Sequence, residues 1–196
     1  IYCSISAYGQ TGPMSHRPGI DLMVQAVSGL MSQTGEPDGR AMKAGGPIAD
    51  IVGGFSAVVS IMASLMERRE TGHGRYIDIA MLDALMMVLN QQIVTYTATG
   101  KPYARVGNAH PLMAPYESFP ASDREFVMAV TNEKAWKAFI SIPEFAHLDE
   151  VPEFKAQVDR NINRVKMLEE IYCVFRTRPA EYWLAELDKR GIPSEP

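Results

Sequence analysis

The sequence is poor in the residues that define several classes of protein. Only two of its 196 residues are cysteine, Cys3 and Cys173, and their spacing matches no metal or redox motif. The 19 Lys and Arg residues are outnumbered by 23 Asp and Glu residues, and no basic stripe marks a nucleic-acid partner. Every apolar run is interrupted by Gly, Ser, Asp or Glu before it reaches bilayer length, and no signal peptide is visible. We therefore expect a cytoplasmic protein without metal, nucleic-acid or membrane partners.

The patterns of apolar residues predict a mixed α/β chain. Residues 1–6 and 76–81 alternate between apolar and polar side chains, as strands do. Three longer segments, 18–31, 50–71 and 82–96, carry apolar residues at helical spacing. With 46% apolar and 21% charged residues, the chain has the composition of a globular protein with a real core.

The segment 50–71 is the clearest predicted helix. We expect its apolar stripe to face the core; the stripe consists of Phe55, Val58, Val59, Met62, Leu65 and Met66. Two adjacent glycines, Gly53 and Gly54, lower helix propensity near its start and predict that another part of the chain approaches the backbone there. Gly72 or Gly74 ends the helix.

Asp83 lies in an apolar stretch, "YIDIAMLDALMMVLNQQ", at the predicted junction of a strand with a helix. A carboxylate in the first turn of a helix is stabilised by free backbone N–H groups. A strand-to-helix turn also presents a side chain at the rim of a sheet, where α/β folds bind substrates. Position alone leaves two interpretations, a helix cap and a nucleophile for an activated carbonyl.

Five segments in order carry a family resemblance. They are "YGQTGP", "RPGIDLMVQAVSGLM", "AGGPIADIVGG", "MERRETGHGRYIDIAMLDALM" and "RVGNAHPLMAPYESF". Together they resemble the class III CoA-transferases, the group of formyl-CoA transferase and carnitine CoA-transferase. The resemblance implies a Rossmann-like large domain and a smaller α/β domain in an interlocked homodimer. Because the chain starts directly on a strand and stops just after a turn, we expect a fragment of such a protein.

The same resemblance assigns parts of the chain to the two domains. Residues 1–100 would form part of the large domain, 101–115 a linker and 116–196 the small α/β domain. Asp83 would be the catalytic nucleophile, which carries CoA as an aspartyl-CoA thioester between an acyl-CoA donor and a carboxylic acid acceptor. Coenzyme A is then a substrate, and no permanently bound cofactor is expected.

A racemase of 2-methylacyl-CoA is an alternative within the family. Racemases resemble this chain but use a His and an Asp as two bases, with a Glu where Asp83 stands. Here Ile20 occupies the position of that His, and Asp50 alone cannot supply two-base chemistry. We therefore favour transfer. A noncatalytic acyl-CoA-binding protein, in which Asp83 only caps a helix, is the third interpretation.

Other candidate binding residues each have a structural interpretation as well. Asp50 is either the N-cap of its helix or a site residue. Backbone N–H groups around Gln10 and Gly12 either face a substrate or belong to a simple turn. His73 and Arg75 either contact CoA phosphates or lie in a solvated loop.

Three further candidates lie in "RVGNAHP". Gly107 and Asn108 are expected to form a flap over the covalent intermediate, because Gly-rich loops do so in the family. This chain lacks the consecutive glycines of formyl-CoA transferase, which weighs against a flap of that form. His110 either contacts the acyl group or CoA, or is an ordinary hydrogen-bonding loop residue.

Overall fold

The computed structural model describes residues 1–196 as two compact units, Ile1–Gly107 and Asn108–Pro196. Both combine helices with a small sheet, so the expected mixed α/β class is confirmed. The boundary between the units falls inside the segment 101–115.

The first unit is organised around two parallel strands, β1 (Tyr2–Ser6) and β2 (Tyr76–Ala80). Their register pairs Tyr2 with Tyr76 and Ser6 with Ala80. The helices of this unit are α1 (Asp21–Val27), α2 (Leu30–Gln33), α3 (Ile48–Thr71), α4 (Met81–Met86) and α5 (Asn90–Thr99). Helix α3 is the last helix of the crossover, because parallel strands need a long connection between them.

Two predicted helices are each divided into two in the structure. The segment 18–31 breaks at Gly29, which adopts a left-handed conformation with φ of +89° and separates α1 from α2. The segment 82–96 breaks over residues 87–89. There each N–H donates to the carbonyl three residues earlier, at 3.0 to 3.2 Å, so the chain tightens before α5 begins.

The apolar stripe of α3 does not face the core of this unit, so that expectation is wrong. Phe55 is 70% exposed and Met66 is 67% exposed, and the other members of the stripe are exposed as well. The buried positions of α3 carry small side chains instead: Ala49, Gly53, Ala57 and Ser64. Small residues face inward because α3 packs closely on α4, where a Cβ at Gly53 would lie 3.0 Å from Met81 Cγ.

The exposed surface of α3 bears on the expectation about membranes. By length and composition alone, α3 is long and apolar enough to cross a bilayer, so the expectation that no segment reaches this threshold is wrong. One such helix is weak evidence for a membrane, since helices of soluble proteins meet the same criterion.

Helix α3 ends at Gly72, whose φ of +73° makes it the left-handed cap that the sequence predicts.

The second unit contains an antiparallel sheet in the order β3 (Tyr116–Pro120), β4 (Glu125–Ala129) and β5 (Ser194–Glu195). Its helices are α6 (Glu133–Ile140), α7 (Gln157–Ile162), α8 (Arg164–Phe175) and α9 (Ala180–Asp188), with 3₁₀ segments at Pro143–Glu150 and Pro152–Phe154. An aromatic core holds them together. Phe175 is at its centre, with ring centroids 4.9 Å from Phe126 and Phe145 and 5.2 Å from Trp183.

Candidate active site

Three segments of the first unit converge at the carboxyl edge of the β1–β2 sheet. Because the strands are parallel, the loop after β1 and the start of α4 leave the sheet at the same edge. The start of α3 joins them there through a buried cluster of Ala7, Val24, Ala49, Met81 and Leu85. This cluster fixes the backbone of the segments that carry Gln10, Asp50 and Asp83.

Asp83 is the third residue of α4 and does not cap it. The N-cap is Ala80, and no side chain makes a capping hydrogen bond. The neighbouring Leu82 N–H is satisfied instead by the carbonyl of Ala7 at 3.0 Å. The Asp83 side chain is exposed and takes part in no hydrogen bond or ion pair of the structure. The capping interpretation is therefore wrong, and a free carboxylate stands on a well-anchored helix.

Asp50 does not cap its helix either. Helix α3 begins at Ile48, with Pro47 as N-cap and Asp50 as its third residue, exposed and without a partner. The orphan N–H of Ala49 is bound by Asp21 Oδ1 at 2.8 Å. Asp21 lies 28 residues earlier in the chain. Sequence analysis missed it because capping by a distant side chain has no local signature, although Asp21 stands in the quoted "PGIDLM".

The loop after β1 contains Gln10 and Gly12, which differ in what they offer a substrate. The N–H of Gln10 is already bound by Asp78 Oδ2 at 2.8 Å, and its side-chain amide donates to Ser4 Oγ at 3.1 Å. Of the two interpretations, the turn therefore describes Gln10, because its N–H is not free to face a substrate. Gly12 has a φ of +89°, and the space where a Cβ would point is empty within 4 Å. The N–H of Gly12 has no partner among the hydrogen bonds of the structure.

His73 and Arg75 lie at the opposite edge of the sheet. Arg75 immediately precedes β2, so the length of a five-residue strand, about 16 Å, separates it from the edge that carries Asp83. Its guanidinium pairs with the carboxylate of Glu67, which raises the pKa of Arg75 and lowers the pKa of Glu67. His73 is exposed. The structure therefore does not bring these two residues together with Asp83.

Gly107 and Asn108 are each tied to their own unit. Gly107 donates its N–H to the carbonyl of Gly35 at 3.2 Å, and its φ of +61° favours glycine. Asn108 Nδ2 donates to Ser118 Oγ at 2.8 Å. Both residues are therefore anchored by hydrogen bonds, and a flap over the intermediate stays a prediction.

His110 is fixed in the second unit by several contacts. Its Nδ1 accepts from the N–H of Leu112 at 3.1 Å, its ring stacks on Tyr116 with centroids 5.1 Å apart, and its carbonyl accepts from Arg164 Nη1 at 3.2 Å. Partial burial, with the nearby Arg164 charge, lowers the pKa of His110. Because Nδ1 accepts a hydrogen bond, Nε2 is the proton-bearing nitrogen of the neutral ring.

Arg105 is a second residue that sequence analysis missed. Its guanidinium donates to one carbonyl of α2, that of Ser32 at 3.2 Å, and to two carbonyls of the loop after α2, those of Glu36 at 3.3 Å and Gly39 at 2.6 Å. Arg105 is the first residue of the quoted "RVGNAHP", but an arginine in a loop gives no signal for such contacts. No group of three or more His, Cys, Asp or Glu side chains is arranged to hold a metal ion.

The unpartnered Asp83 lies at the carboxyl edge of a parallel sheet, the edge at which α/β folds bind ligands. Comparison with known proteins identifies the family to which the chain belongs. Residues 1–196 match the family model described as CoA-transferase family III. Acetyl-CoA:oxalate CoA-transferase of Acetobacter aceti is 38% identical over 197 residues, which cover 100% of this chain and 51% of that protein. Succinyl-CoA:glutarate CoA-transferase of Homo sapiens is 32% identical, covering 100% of this chain and 45% of that protein.

Solved structures agree with the sequence comparison. A CAIB/BAIF family protein from Brucella suis is 37% identical with a TM-score of 0.85, covering 100% of this chain and 52% of that one. The chain belongs to CoA-transferase family III. It spans about half the length of the curated relatives it matches.

Proposed function

We propose that this chain is the nucleophile-bearing part of an enzyme that transfers CoA from an acyl-CoA donor to a carboxylic acid, with Asp83 as the nucleophile. One observation carries the proposal: the Asp83 carboxylate is exposed and unpartnered at the carboxyl edge of the sheet, on a helix whose neighbouring residues are buried. The printed names of the relatives, which include transferases acting on oxalate and on glutarate, support the reaction class.

The proposed reaction has four steps of acyl exchange. An oxygen of Asp83 attacks the thioester carbonyl of the donor, the C–S bond breaks and CoA leaves as its thiolate. The thiolate attacks the Asp83 carbonyl of the resulting anhydride, which releases the donor acid and leaves an aspartyl-CoA thioester. The acceptor carboxylate attacks that thioester to form a second anhydride and free thiolate. The thiolate then takes the acceptor acyl group, and Asp83 is regenerated.

Exposure of the carboxylate suits this chemistry because attack needs an unencumbered oxygen. A carboxylate held by a strong ion pair would be a weaker nucleophile, and Asp83 has no such pair. The buried neighbours Met81, Ala84 and Leu85 fix the helix, so that the protein contributes positioning rather than proton transfer. Following the resemblance, we also propose an interlocked homodimer in the cytoplasm, with coenzyme A as substrate and no permanently bound cofactor.

Trapping the intermediate tests the proposal. The complete polypeptide, at the length of its relatives, is incubated with acyl-CoA and then hydroxylamine, and the peptide containing Asp83 is analysed by mass spectrometry. We expect an aspartyl hydroxamate at Asp83 and loss of turnover in Asp83→Asn. The matched control is Glu181→Gln, which removes an exposed, unpartnered carboxylate from the first turn of α9 and should retain turnover.

Three results would contradict the proposal. Normal turnover by Asp83→Asn would exclude Asp83 as nucleophile. Incorporation of deuterium at Cα without change of acyl partner would indicate a racemase instead, and CoA binding without exchange of labelled CoA would indicate a noncatalytic binding protein. The exposed Ile20, which is the N-cap of α1, argues against the racemase.

A further inference from the structure

The side chain of Gln25 is completely buried, with an exposure of 0%, and its amide is fully engaged. Its Oε1 accepts from the N–H of Ala44 at 2.9 Å. Its Nε2 donates to Asp21 Oδ2 at 2.6 Å and to the carbonyl of Gly46 at 3.4 Å. The amide therefore clamps the backbone of the segment before α3 from two sides.

Asp21 extends this clamp to the start of α3. One of its oxygens accepts from Gln25 and the other accepts from the N–H of Ala49, at 2.8 Å. Helix α1 thus holds the segment 44–50 at three backbone positions, those of Ala44, Gly46 and Ala49. Within this segment, Gly45 and Gly46 have open space where a Cβ would point.

The clamped segment is part of the edge that carries the proposed nucleophile. Ala49 is buried in one cluster with Met81 and Leu85, the residues on either side of Asp83 in α4. One turn further along α3, Gly53 packs against Met81. A shift of the segment 44–50 would therefore be transmitted to the helix that carries Asp83.

We infer that Asp21 and Gln25 are positioning residues, which fix the segment 44–50 against the helix of the nucleophile and so support CoA transfer. This inference rests on the proposed function. Neither residue needs to touch substrate, because each acts through backbone groups. Asp21 acts through Ala49, and Gln25 acts through Ala44 and Gly46.

Two substitutions test the inference. Gln25→Met keeps the length of the side chain but removes its hydrogen bonds. Asp21→Asn keeps an acceptor for Ala49 and turns an N–H₂ group against the amide of Gln25. The second change is the milder one and serves if Gln25→Met does not fold. Ser64→Ala is the control, because Ser64 is also a buried polar residue but lies in α3, 14 positions after Asp50.

The first measurement is amide hydrogen exchange on the chain itself. We expect Ala44, whose N–H is bound by the Gln25 amide, to lose protection in both variants and to keep it in the control, whereas Ala49 retains an acceptor in each. The second is steady-state kinetics of the complete polypeptide, at a temperature where each variant is folded. We expect kcat to fall about tenfold to a hundredfold with KM for acyl-CoA within about twofold of the original, since misplacement of a reacting group acts on the chemical step.

The outcomes separate this inference from the proposed function. If Asp83→Asn abolishes turnover but both positioning variants keep the original kcat and KM, only the inference is overturned. Unchanged protection of Ala44 in both variants overturns it as well, because the Gln25 amide would then not hold this backbone position. If Asp83→Asn turns over normally, the proposed function fails on its own evidence. A loss of kcat in Ser64→Ala equal to that in Asp21→Asn would indicate a general packing effect and refute the positioning role.

Discussion

The adjacent glycines of α3 provide a sharp test of how this helix packs on α4. Both Gly53 and Gly54 lie in the helix interior, where replacing glycine by alanine stabilises a helix by about 1 kcal/mol. At Gly54 no heavy atom lies within 4 Å of the new Cβ, so the full gain should be retained. At Gly53 the new methyl group would lie 3.0 Å from Met81 Cγ and 3.8 Å from Met81 Sδ.

The closer contact decides the sign of the effect at Gly53. Overpacking a well-packed site costs about 1–3 kcal/mol, which cancels or exceeds the gain in helix propensity. We therefore expect Gly54→Ala to stabilise the protein, and Gly53→Ala to be less stable than Gly54→Ala by about 1–3 kcal/mol. Because Met81 lies two residues before Asp83, Gly53→Ala should also slow formation of the covalent intermediate, whereas Gly54→Ala should not.

Urea unfolding followed by circular dichroism compares the two variants, with the original chain as reference. A double variant that combines Gly53→Ala with Met81→Ala should lose less stability than the sum of the single changes, because the methyl group then fills space that Met81 vacated. Equal stabilisation by Gly53→Ala and Gly54→Ala would refute the close packing of α3 on α4.

Two further predictions concern charged groups of the second unit. Arg160 is 1% exposed, donates to Glu133 Oε1 at 2.6 Å and lies 4.5 Å above the ring of Trp136. Arg160→Met should therefore lower the free energy of unfolding by about 2–4 kcal/mol. Urea unfolding followed by tryptophan fluorescence measures this change, and an unchanged midpoint would contradict the prediction. The pKa of His110 is lowered by burial and by Arg164, so the unfolded chain takes up a proton that the folded chain does not. Stability should therefore fall as the pH drops below about 6.5, and His110→Gln should remove this part of the pH dependence. A pH profile identical in both proteins would show that His110 is not the responsible group.

Local chemistry explains the parts of the fold that the sequence predicted. The strand Tyr76–Ala80 follows from alternation, and the end of α3 at Gly72 follows from the freedom of glycine to adopt positive φ. The position of Asp83 just after a strand could be predicted for the same reason. All of these features depend on residues close together in the chain, so a pattern along the sequence contains the necessary information.

The contacts of the candidate site depended on groups distant in sequence. The helical position of Asp50 resembled a cap, but the acceptor for the N–H of Ala49 came from Asp21. The sequence left open whether the N–H of Gln10 faces a substrate or belongs to a turn, and Asp78, 68 residues away, accepts its hydrogen bond. A local sequence pattern does not indicate which of several carboxylates, distant in the chain, accepts the hydrogen bond of a given N–H.

By itself, the sequence determined the mixed α/β class, the strand that precedes Asp83 and, through its five ordered segments, the family. Only the tertiary structure decided which face of α3 is buried and that Asp83 carries no partner. Periodicity identifies an apolar stripe but not what packs on it, and in this chain α4 approaches so closely that only small residues such as Gly53 fit between. The absence of a partner at Asp83 is likewise a tertiary property, because Ala7 supplies the acceptor for the first turn of α4 and leaves the carboxylate unengaged.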